Sequence, residues 1–559
     1  MAGPTRPTLA CSFQTVQFRP MPTPTLVVAA TGSGCGKTTV VAGLLAALRR
    51  CGLVVQPFKC GPDYIDPGYH TRAAGRTCRN LDSWMLDDAQ VAACFERACR
   101  GADLAVVEGV MGLFDGSSFT DERASAAQIA KLLGAPVLLI LDISGSARSA
   151  AAMAHGFATL DPQLHVGACV LNFAGSESHA RGCAEAIAQL AKLPTHGWLP
   201  RVPELAIPER HLGLALAGEQ TDLDTRLARL AAAVEQRFDL DAIIALATRS
   251  DGFQPVAPDS NQPVCHRAEV AAPPEGQVAA LADRAATPAP SNLAGTEAGA
   301  TPHPACSTVA QASLPAAPDS VNSPASALSG LRSPVSGSPS PVSGFPPPLL
   351  AVAHDEAFCF HYPDNLDLLE AAGARLAYFR PAHGERLPVG AAGVYLGGGY
   401  PELHAAALSA NQGFFDDLHA LHARGAPIYA ECGGFMVLTE ALFDLDGRRW
   451  PMAGLVPDTV RMTPDLVALG YRHATAACNH LLADAGTTLR GHEFHHSRWE
   501  PAVPAAANAW HLRGTDPAAP SSIDGHAYDN LLASYLHIHF AQDPAIATRF
   551  VARLRAASG

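Results

Sequence analysis

Apolar and polar positions along the chain fall into two blocks with helix-and-strand alternation, separated by a stretch that has neither. From Leu26 to about residue 248, short apolar runs recur: LVVAA (26–30), LAVVEG (104–109), PVLLILD (136–142) and GACVLN (167–172). Each has the length of a buried strand. Each is followed by a polar or Gly-rich turn and then by an Ala/Leu-rich helical segment. Such alternation predicts βαβ units around a parallel sheet. A second block begins at LLAVAHD (349–355) and continues through VYLGGGYPEL (394–403), APIYAECGGFMVL (426–438) and NLLASYLHIHF (530–540). It reads as another α/β unit of about 210 residues, a usual domain size.

The intervening text is of another kind. Eighteen of the 45 prolines fall in 251–350, and Phe253 and Phe345 are its only aromatic residues. An Ala/Pro/Ser/Gly stretch without a period cannot bury enough apolar surface to offset its ordering entropy. The expected organisation is therefore a flexible leader (1–24), a first α/β domain (25–248), a disordered linker (249–348) and a second α/β domain (349–559).

Composition narrows the function. The 559 residues carry a formal charge of −13, which argues against a nucleic-acid footprint. The 14 cysteines are scattered with no CxxC pair. No apolar run approaches the roughly 20 residues of a membrane span, and the N-terminal stretch has no signal-peptide core. These features predict a cytoplasmic protein with reduced thiols, bound to neither membrane nor nucleic acid.

Two motifs carry chemistry. The first strand runs into Thr31-Gly32-Ser33-Gly34-Cys35-Gly36-Lys37-Thr38-Thr39 and then into a helical stretch. Strand, Gly-rich loop and helix is the context of a P-loop. Gly34 and Gly36 let backbone N–H groups curl around phosphates, and Lys37 reaches the β/γ-phosphates of ATP. The Thr38 hydroxyl serves Mg²⁺, and Thr39 follows in the first turn. Thr31 stands where the strict motif has Gly, so the loop is a variant. Glu108 closes the strand LAVV at the sheet edge where open α/β folds bind ligands. With Asp63 and Asp66 in FKCGPDYIDPGYH (58–70) and Asp115 in MGLFDG, it makes four acids on neighbouring loops, a candidate metal or substrate site.

The second motif is Glu431-Cys432-Gly433-Gly434, a small-residue turn between the strand PIYA and a helix. That is the logic of a nucleophile elbow. The helix N-terminus favours a thiolate and offers N–H groups to an oxyanion, through Gly433. A second glycine turn, Gly397-Gly398-Gly399, could complete the oxyanion hole with Gly398 and Gly399. A thiol attacking a glutamine amide needs a base. His537 and His539 in SYLHIHF alternate with apolar residues, and spacing does not choose between them. His492-Glu493-Phe494-His495-His496 matches a zinc motif, but its Gly, Trp and Pro neighbours predict an extended segment rather than the helix zinc requires.

In order along the chain, TGSGCGKTT, FKCGPDYIDPGYH, NLDSWML, VEGVMGLFDG, YLGGGYPELHA, YAECGGFMVL, GHEFHHSRWE and ASYLHIHF resemble the cobyrinate a,c-diamide synthase family. The resemblance extends to the family's aerobic-pathway counterpart, which acts on hydrogenobyrinate, and covers about 25–248 and 349–555. It implies a P-loop domain like that of dethiobiotin synthetase, joined to a class I glutamine amidotransferase domain. It implies a ligase that amidates the a- and c-side-chain carboxylates of a corrin, with ATP and L-glutamine as co-substrates and Mg²⁺ as cofactor. By the same resemblance Cys432 is the nucleophile and His537, rather than His539, its base. Thr38, Asp63 and Glu108 are the metal positions, Asp66 and Asp115 serve the corrin carboxylates, and Asn172 reads the adenine. His539 occupies the place of the usual acidic third member, so the expectation is a Cys–His dyad. Ala30 replaces a glycine frequent in relatives, and the long linker departs from their compact joint. A homodimer is the assembly entertained. The competing readings are another ligase of the superfamily, such as cobyric acid synthase, and a P-loop partitioning ATPase with a degenerate tail. The latter would carry a Lys early in the loop, where this chain has Gly32.

Overall fold

The computed structural model describes residues 23–248 and 346–558, apart from 206, 208, 211–212, 215–216, 218–219, 221, 503–507, 517 and 529. The flexible leader and the disordered linker expected from the sequence lie almost wholly outside the described residues.

The first block folds as seven parallel strands: β1 (Thr25–Ala30), β2 (Val55–Cys60), β3 (Arg79–Leu81), β4 (Leu104–Glu108), β5 (Val137–Asp142), β6 (Val166–Ala174) and β7 (Thr195–Pro200). Their spatial order is β3-β2-β4-β1-β5-β6-β7. The helices between them cover both faces, as parallel sheets require. In β1, Val27 and Ala29 enter one core while Leu26, Val28 and Ala30 enter the other. All five are buried, which is why the strand reads as a continuous apolar run rather than an alternation. Local signals fix the helix starts. Asp87 and Gln90 form a reciprocal capping box, and Ser125 and Ser176 accept from backbone N–H groups of the helices they open.

A two-stranded ladder, β8 (Glu209–Arg210) and β9 (Gly213–Leu214), follows β7. The second block opens with the parallel strands β10 (Leu349–Ala353), β11 (Arg375–Phe379), β12 (Ala391–Leu396) and β13 (Ile428–Glu431). Further strands are β14 (Thr439–Phe443), β15 (Arg449–Pro451), β16 (Val456–Met462), β17 (Ala468–Ala476), β18 (Thr488–His495), β19 (Ser497–Glu500), β20 (Asn508–Arg513), β21 (Ser522–Ala527), β22 (Leu531–Ser534) and β23 (His537–Ile538). Ten of them form one sheet in the order β11-β10-β12-β13-β22-β21-β20-β17-β18-β23. It is parallel from β11 through β22 and antiparallel beyond. A smaller sheet, β15-β14-β16-β19, flanks it. The fold class is thus α/β in both halves, as the sequence implies.

The two halves belong to one compact unit. Arg97, on the helix Asp88–Ala98, ion-pairs with buried Asp364 on the helix Pro363–Ala371, and Arg79 reaches Asp367 at 2.7 Å. Trp84 stacks on Tyr471 with centroids 4.5 Å apart, and the Tyr471 hydroxyl donates to Asp82 at 3.0 Å. Arg490 donates to the Trp84 carbonyl at 2.8 Å. NLDSWML therefore serves as a docking segment for the second half. Among the described residues no helix is long and apolar enough to cross a membrane.

Candidate active site

The loop after β1 turns through two left-handed glycines, Gly34 (φ 77°) and Gly36 (φ 78°), before the helix Lys37–Arg50 begins. A Cβ at Gly36 would run into the Asn172 amide. Only glycine tolerates that backbone and that neighbour together. The Asn172 amide, buried at the end of β6, donates to the Cys35 carbonyl at 2.9 Å. Its visible role is to brace the loop. Lys37 crosses the loop and donates to the carbonyls of Gly32 (2.9 Å) and Met111 (2.6 Å). Burial and the nearby Lys59 ammonium push its pKa down.

The acids of neighbouring strand ends converge beside it. The Thr38 hydroxyl lies 3.1 Å from Asp66 Oδ2 and 3.2 Å from Glu108 Oε1. Lys59, which the sequence reading did not single out, sits at the centre: 2.5 Å from Asp66, 2.9 Å from Glu108 and 3.7 Å from Asp63. His70 bonds the other oxygen of Glu108. Burial alone would raise the Glu108 carboxyl, but Lys59 and His70 override it and hold it down at about 2. Burial and the Asp63 carboxylate push Asp66 up, against the pull of Lys59. Two lysines, Lys59 and Lys37, thus share the electrostatic field of the three carboxylates. Asp63 differs from the other two: its Oδ1 accepts from the N–H groups of Ile65 and Asp66, pinning the turn. Asp115 likewise accepts from the Gly112 N–H at 2.8 Å, and a Cβ at Gly112 would lie 3.2 Å from the Thr31 carbonyl. The VEGVMGLFDG loop thus abuts the P-loop.

In the second half, β13 ends at Glu431 and the chain turns through Cys432 at φ 47°, ψ −104° into the helix Gly433–Leu438. A positive φ at a non-glycine residue is strained, and such strain gathers at functional sites. The turn projects the thiol toward β23. The Gly398 position shows how close the groups are. A Cβ built there would lie 2.5 Å from His537 Cε1 and 3.3 Å from Cys432 Cβ. The Gly398 N–H already donates to the Phe360 carbonyl at 3.2 Å, so this peptide is not a spare oxyanion donor. Gly399 and Gly433 adjoin each other at the thiol: a Cβ on Gly433 would come 3.0 Å from Gly399 N.

His537 is buried, with Nδ1 3.5 Å from Glu431 Oε2. Burial would lower its pKa, but the Cys432 thiol and the Glu431 carboxylate outweigh it and raise the imidazole to about 10. An imidazolium beside a thiol is the arrangement that favours a thiolate nucleophile. Glu431 is fixed by the hydroxyls of Tyr395 (2.9 Å) and Tyr429 and by the Ile538 N–H at 3.3 Å. The sequence reading missed it. Its signal was a carboxylate at the end of an otherwise apolar strand, where a buried charge must find partners. His539 does not share the His537 environment. Its ring packs on Tyr362 with centroids 4.8 Å apart, and burial lowers its pKa to about 4. His492 and His495 lie on β18, an extended strand, with the His495 ring stacked on Tyr535.

Fold and site together define a glutamine amidotransferase fused to a P-loop nucleotide-binding domain. Residues 26–214 match the family described as the CobQ/CobB/MinD/ParA nucleotide binding domain, and residues 350–545 the CobB/CobQ-like glutamine amidotransferase domain. The chain is 40% identical over 533 residues to the hydrogenobyrinate a,c-diamide synthase of Streptomyces coelicolor, covering 95% of this chain and 98% of that one. It is 39% identical over 533 residues to the cobyrinate a,c-diamide synthase of Dehalococcoides mccartyi, covering 94% and 97%. To that of Salmonella typhimurium it is 38% identical over 532 residues, covering 95% and 98%. The chain belongs to the cobyrinate/hydrogenobyrinate a,c-diamide synthase family.

Proposed function

We propose that the protein amidates the a- and c-side-chain carboxylates of cobyrinate or hydrogenobyrinate in cobalamin biosynthesis, using ATP and glutamine. One observation carries the reading: a P-loop with an acid cluster and a Cys432–His537 pair stand in the same compact unit. The family to which the chain belongs supports it.

A carboxylate is a poor electrophile because its leaving group is oxide-like. Phosphorylation by ATP turns it into an acyl phosphate, whose phosphate leaves readily. Backbone N–H groups at the start of the helix Lys37–Arg50, together with Lys37, hold the phosphates; Lys37 then exchanges its loop carbonyls for phosphate oxygens. Asn172 keeps the loop in shape. The oxygen donors of Thr38, Glu108 and Asp66, which meet within hydrogen-bonding distance, are of the hard-oxygen kind that would hold a divalent cation such as Mg²⁺. When bound, that ion neutralises charge on the β- and γ-phosphates. This exchanges the sequence-based parts of the two loop acids. Asp66 joins the metal donors, while Asp63, with one oxygen spent on its turn, stands with Asp115 toward the corrin carboxylate.

In the other centre, the Cys432 thiolate attacks the glutamine amide. Gly399 and Gly433 N–H groups steady the oxyanion, and His537 gives its proton to the departing ammonia. Glu431 holds the imidazolium in place. Water then releases glutamate from the thioester, and the ammonia displaces phosphate from the acyl phosphate. The described cysteines are all free thiols, which supports a reducing, cytoplasmic setting.

The test is incubation with cobyrinate or hydrogenobyrinate, ATP, Mg²⁺ and glutamine, followed by mass spectrometry. Two carboxylate-to-amide conversions are expected on one of these substrates. No conversion on either would sink the reading.

A further inference from the structure

Three antiparallel strands of the second half carry a row of basic side chains. On β17, His473 stands directly opposite Arg513 of β20 on one side and Arg490 of β18 on the other. Directly opposed residues of an antiparallel pair share a face, so the three side chains line up across the sheet. Arg513 is exposed, and His473 and Arg490 are half-buried. A fourth basic group comes from the nucleotide-binding half. Arg123 lies over the Trp84 ring at 5.8 Å and donates to the Trp84 carbonyl at 3.2 Å, the same oxygen that takes an N–H from Arg490. The His473 ring meets Trp84 as well, with centroids 5.0 Å apart.

Among the described residues, no carboxylate pairs with Arg123, Arg490 or Arg513. The acids nearby are already engaged. Asp82 accepts from the N–H groups of Trp84 and Met85 and from the Tyr471 hydroxyl, Asp87 caps its helix, and Glu122 pairs with Lys131. Like charges set opposite one another on a sheet are destabilising. Their field is felt within the row: burial first, then the guanidiniums of Arg513, Arg490 and Arg123, lower the His473 pKa. Burial and then Arg123 lower that of Arg490. An anion laid on this face would relieve the repulsion.

The row borders the reacting centre. The Arg123 carbonyl accepts from the Ser117 N–H at 2.8 Å and so closes the loop that carries Asp115. Tyr471, stacked on Trp84, has its hydroxyl 3.8 Å from where a Cβ on Gly61 would stand, two residues before Asp63.

We propose that Arg123, Arg490 and Arg513 bind those carboxylates of the corrin that are not being amidated. The a and c carboxylates are two among several on the rim of the ring, so the substrate is a polyanion. With one carboxylate at Asp63 and Asp115, the ring sets others against the row. A guanidinium takes a carboxylate through two parallel N–H groups, and Arg123 and Arg490 keep donors free after the one each gives to Trp84. The substrate is thus gripped from both halves at once. The proposal rests on the amidation reading above and deepens it by naming what selects a corrin polyacid.

The experiment is equilibrium dialysis of cobyrinate and hydrogenobyrinate, and of their fully methyl-esterified forms, against wild type, Arg513→Ala and the double variant Arg123→Ala/Arg513→Ala. Neither ATP nor glutamine is present, so binding is read without turnover. Loss of one partly exposed charge contact of about 1 kcal/mol is about fivefold in Kd. The free acid should therefore bind about fivefold more weakly to Arg513→Ala and about 20-fold more weakly to the double variant. The ester should bind all three proteins alike. Arg123→Lys/Arg513→Lys keeps the charges and should recover most of the affinity. In ammonium-dependent turnover the double variant should raise KM for the corrin, with kcat and KM for ATP within about twofold, the mark of a lost binding contact in a folded enzyme. Equal Kd for the free acid in wild type and the double variant overturns the proposal. So does an equal loss of ester and acid binding, because shape rather than charge would then be at work. Wild type that binds a corrin acid but amidates neither would instead refute the amidation reading, and the dialysis comparison still decides the role of the row.

Discussion

At the scale of single residues, the P-loop and the elbow were legible because each is a contiguous string with a steric reason for every small residue. Gly36 must be glycine, since its φ is 78° and Asn172 fills the space where a Cβ would stand. Cys432 was legible from the same kind of turn. The partners that tune these residues were not, because they come from elsewhere in the chain or look like ordinary core. Lys59 is an inward-facing residue of a buried strand, and only tertiary structure brings it to Asp66 and Glu108. Glu431 adjoins the nucleophile, and the usual search for a third member looks two residues past the histidine, where this chain has His539. A prediction follows from the geometry of Glu431. It is one of the groups that hold the His537 imidazole up at about 10. In Glu431→Gln the imidazolium loses a proton at lower pH, so the basic limb of kcat/KM for glutamine should move to lower pH. The value at the optimum should fall by something on the order of 10²-fold. Ammonium-dependent amidation should be unchanged. A basic limb that stays in place would show that Glu431 does not act on His537.

Among elements, the parallel sheet of the first half was readable from its apolar runs, since strands buried on both faces leave that trace. The zinc-like HEFHH pattern, expected from its flanks to be extended, lies on β18 as far as His495. What no periodicity could show is how elements of the two halves meet. The helix Asp88–Ala98 and the helix Pro363–Ala371 are joined by Arg97 and Asp364, 267 residues apart. Asp364 is fully buried; burial alone would raise its pKa, but Arg79, His539 and Arg97 hold it below the ordinary 3.8. A depressed carboxyl contributes stability above its ordinary pKa and loses it as the pH falls through that range. Asp364→Asn should therefore destabilise the protein at neutral pH by about 1.5–3 kcal/mol, the worth of hydrogen bonds to charged groups. The difference from wild type should shrink toward pH 3. Urea melts at the two pH values measure both. Equal stability at neutral pH would contradict the assignment of this pair as an interface clamp.

For the whole molecule, the family resemblance and the order of motifs gave two domains and their chemistry, but not how they are held together. Ring stacking at Trp84–Tyr471, the Arg490 bond to the Trp84 carbonyl and the Arg97–Asp364 pair supply contacts independent of chain continuity. Residues 1–253 and 331–559, produced as separate chains, should therefore co-purify and retain glutamine-dependent amidation within about tenfold of the intact protein. Two pieces that fail to associate, each folded, would show that the covalent joint does more than tether them.

The central claim is that ammonia made at Cys432 is consumed at the nucleotide centre of the same molecule. The most direct measurement assays Cys432→Ala with ATP, Mg²⁺ and the corrin, once with glutamine and once with high ammonium. Amide formation should vanish with glutamine and persist with ammonium at close to the wild-type ammonium rate. Continued amidation from glutamine, or loss of both activities in a folded variant, would contradict it.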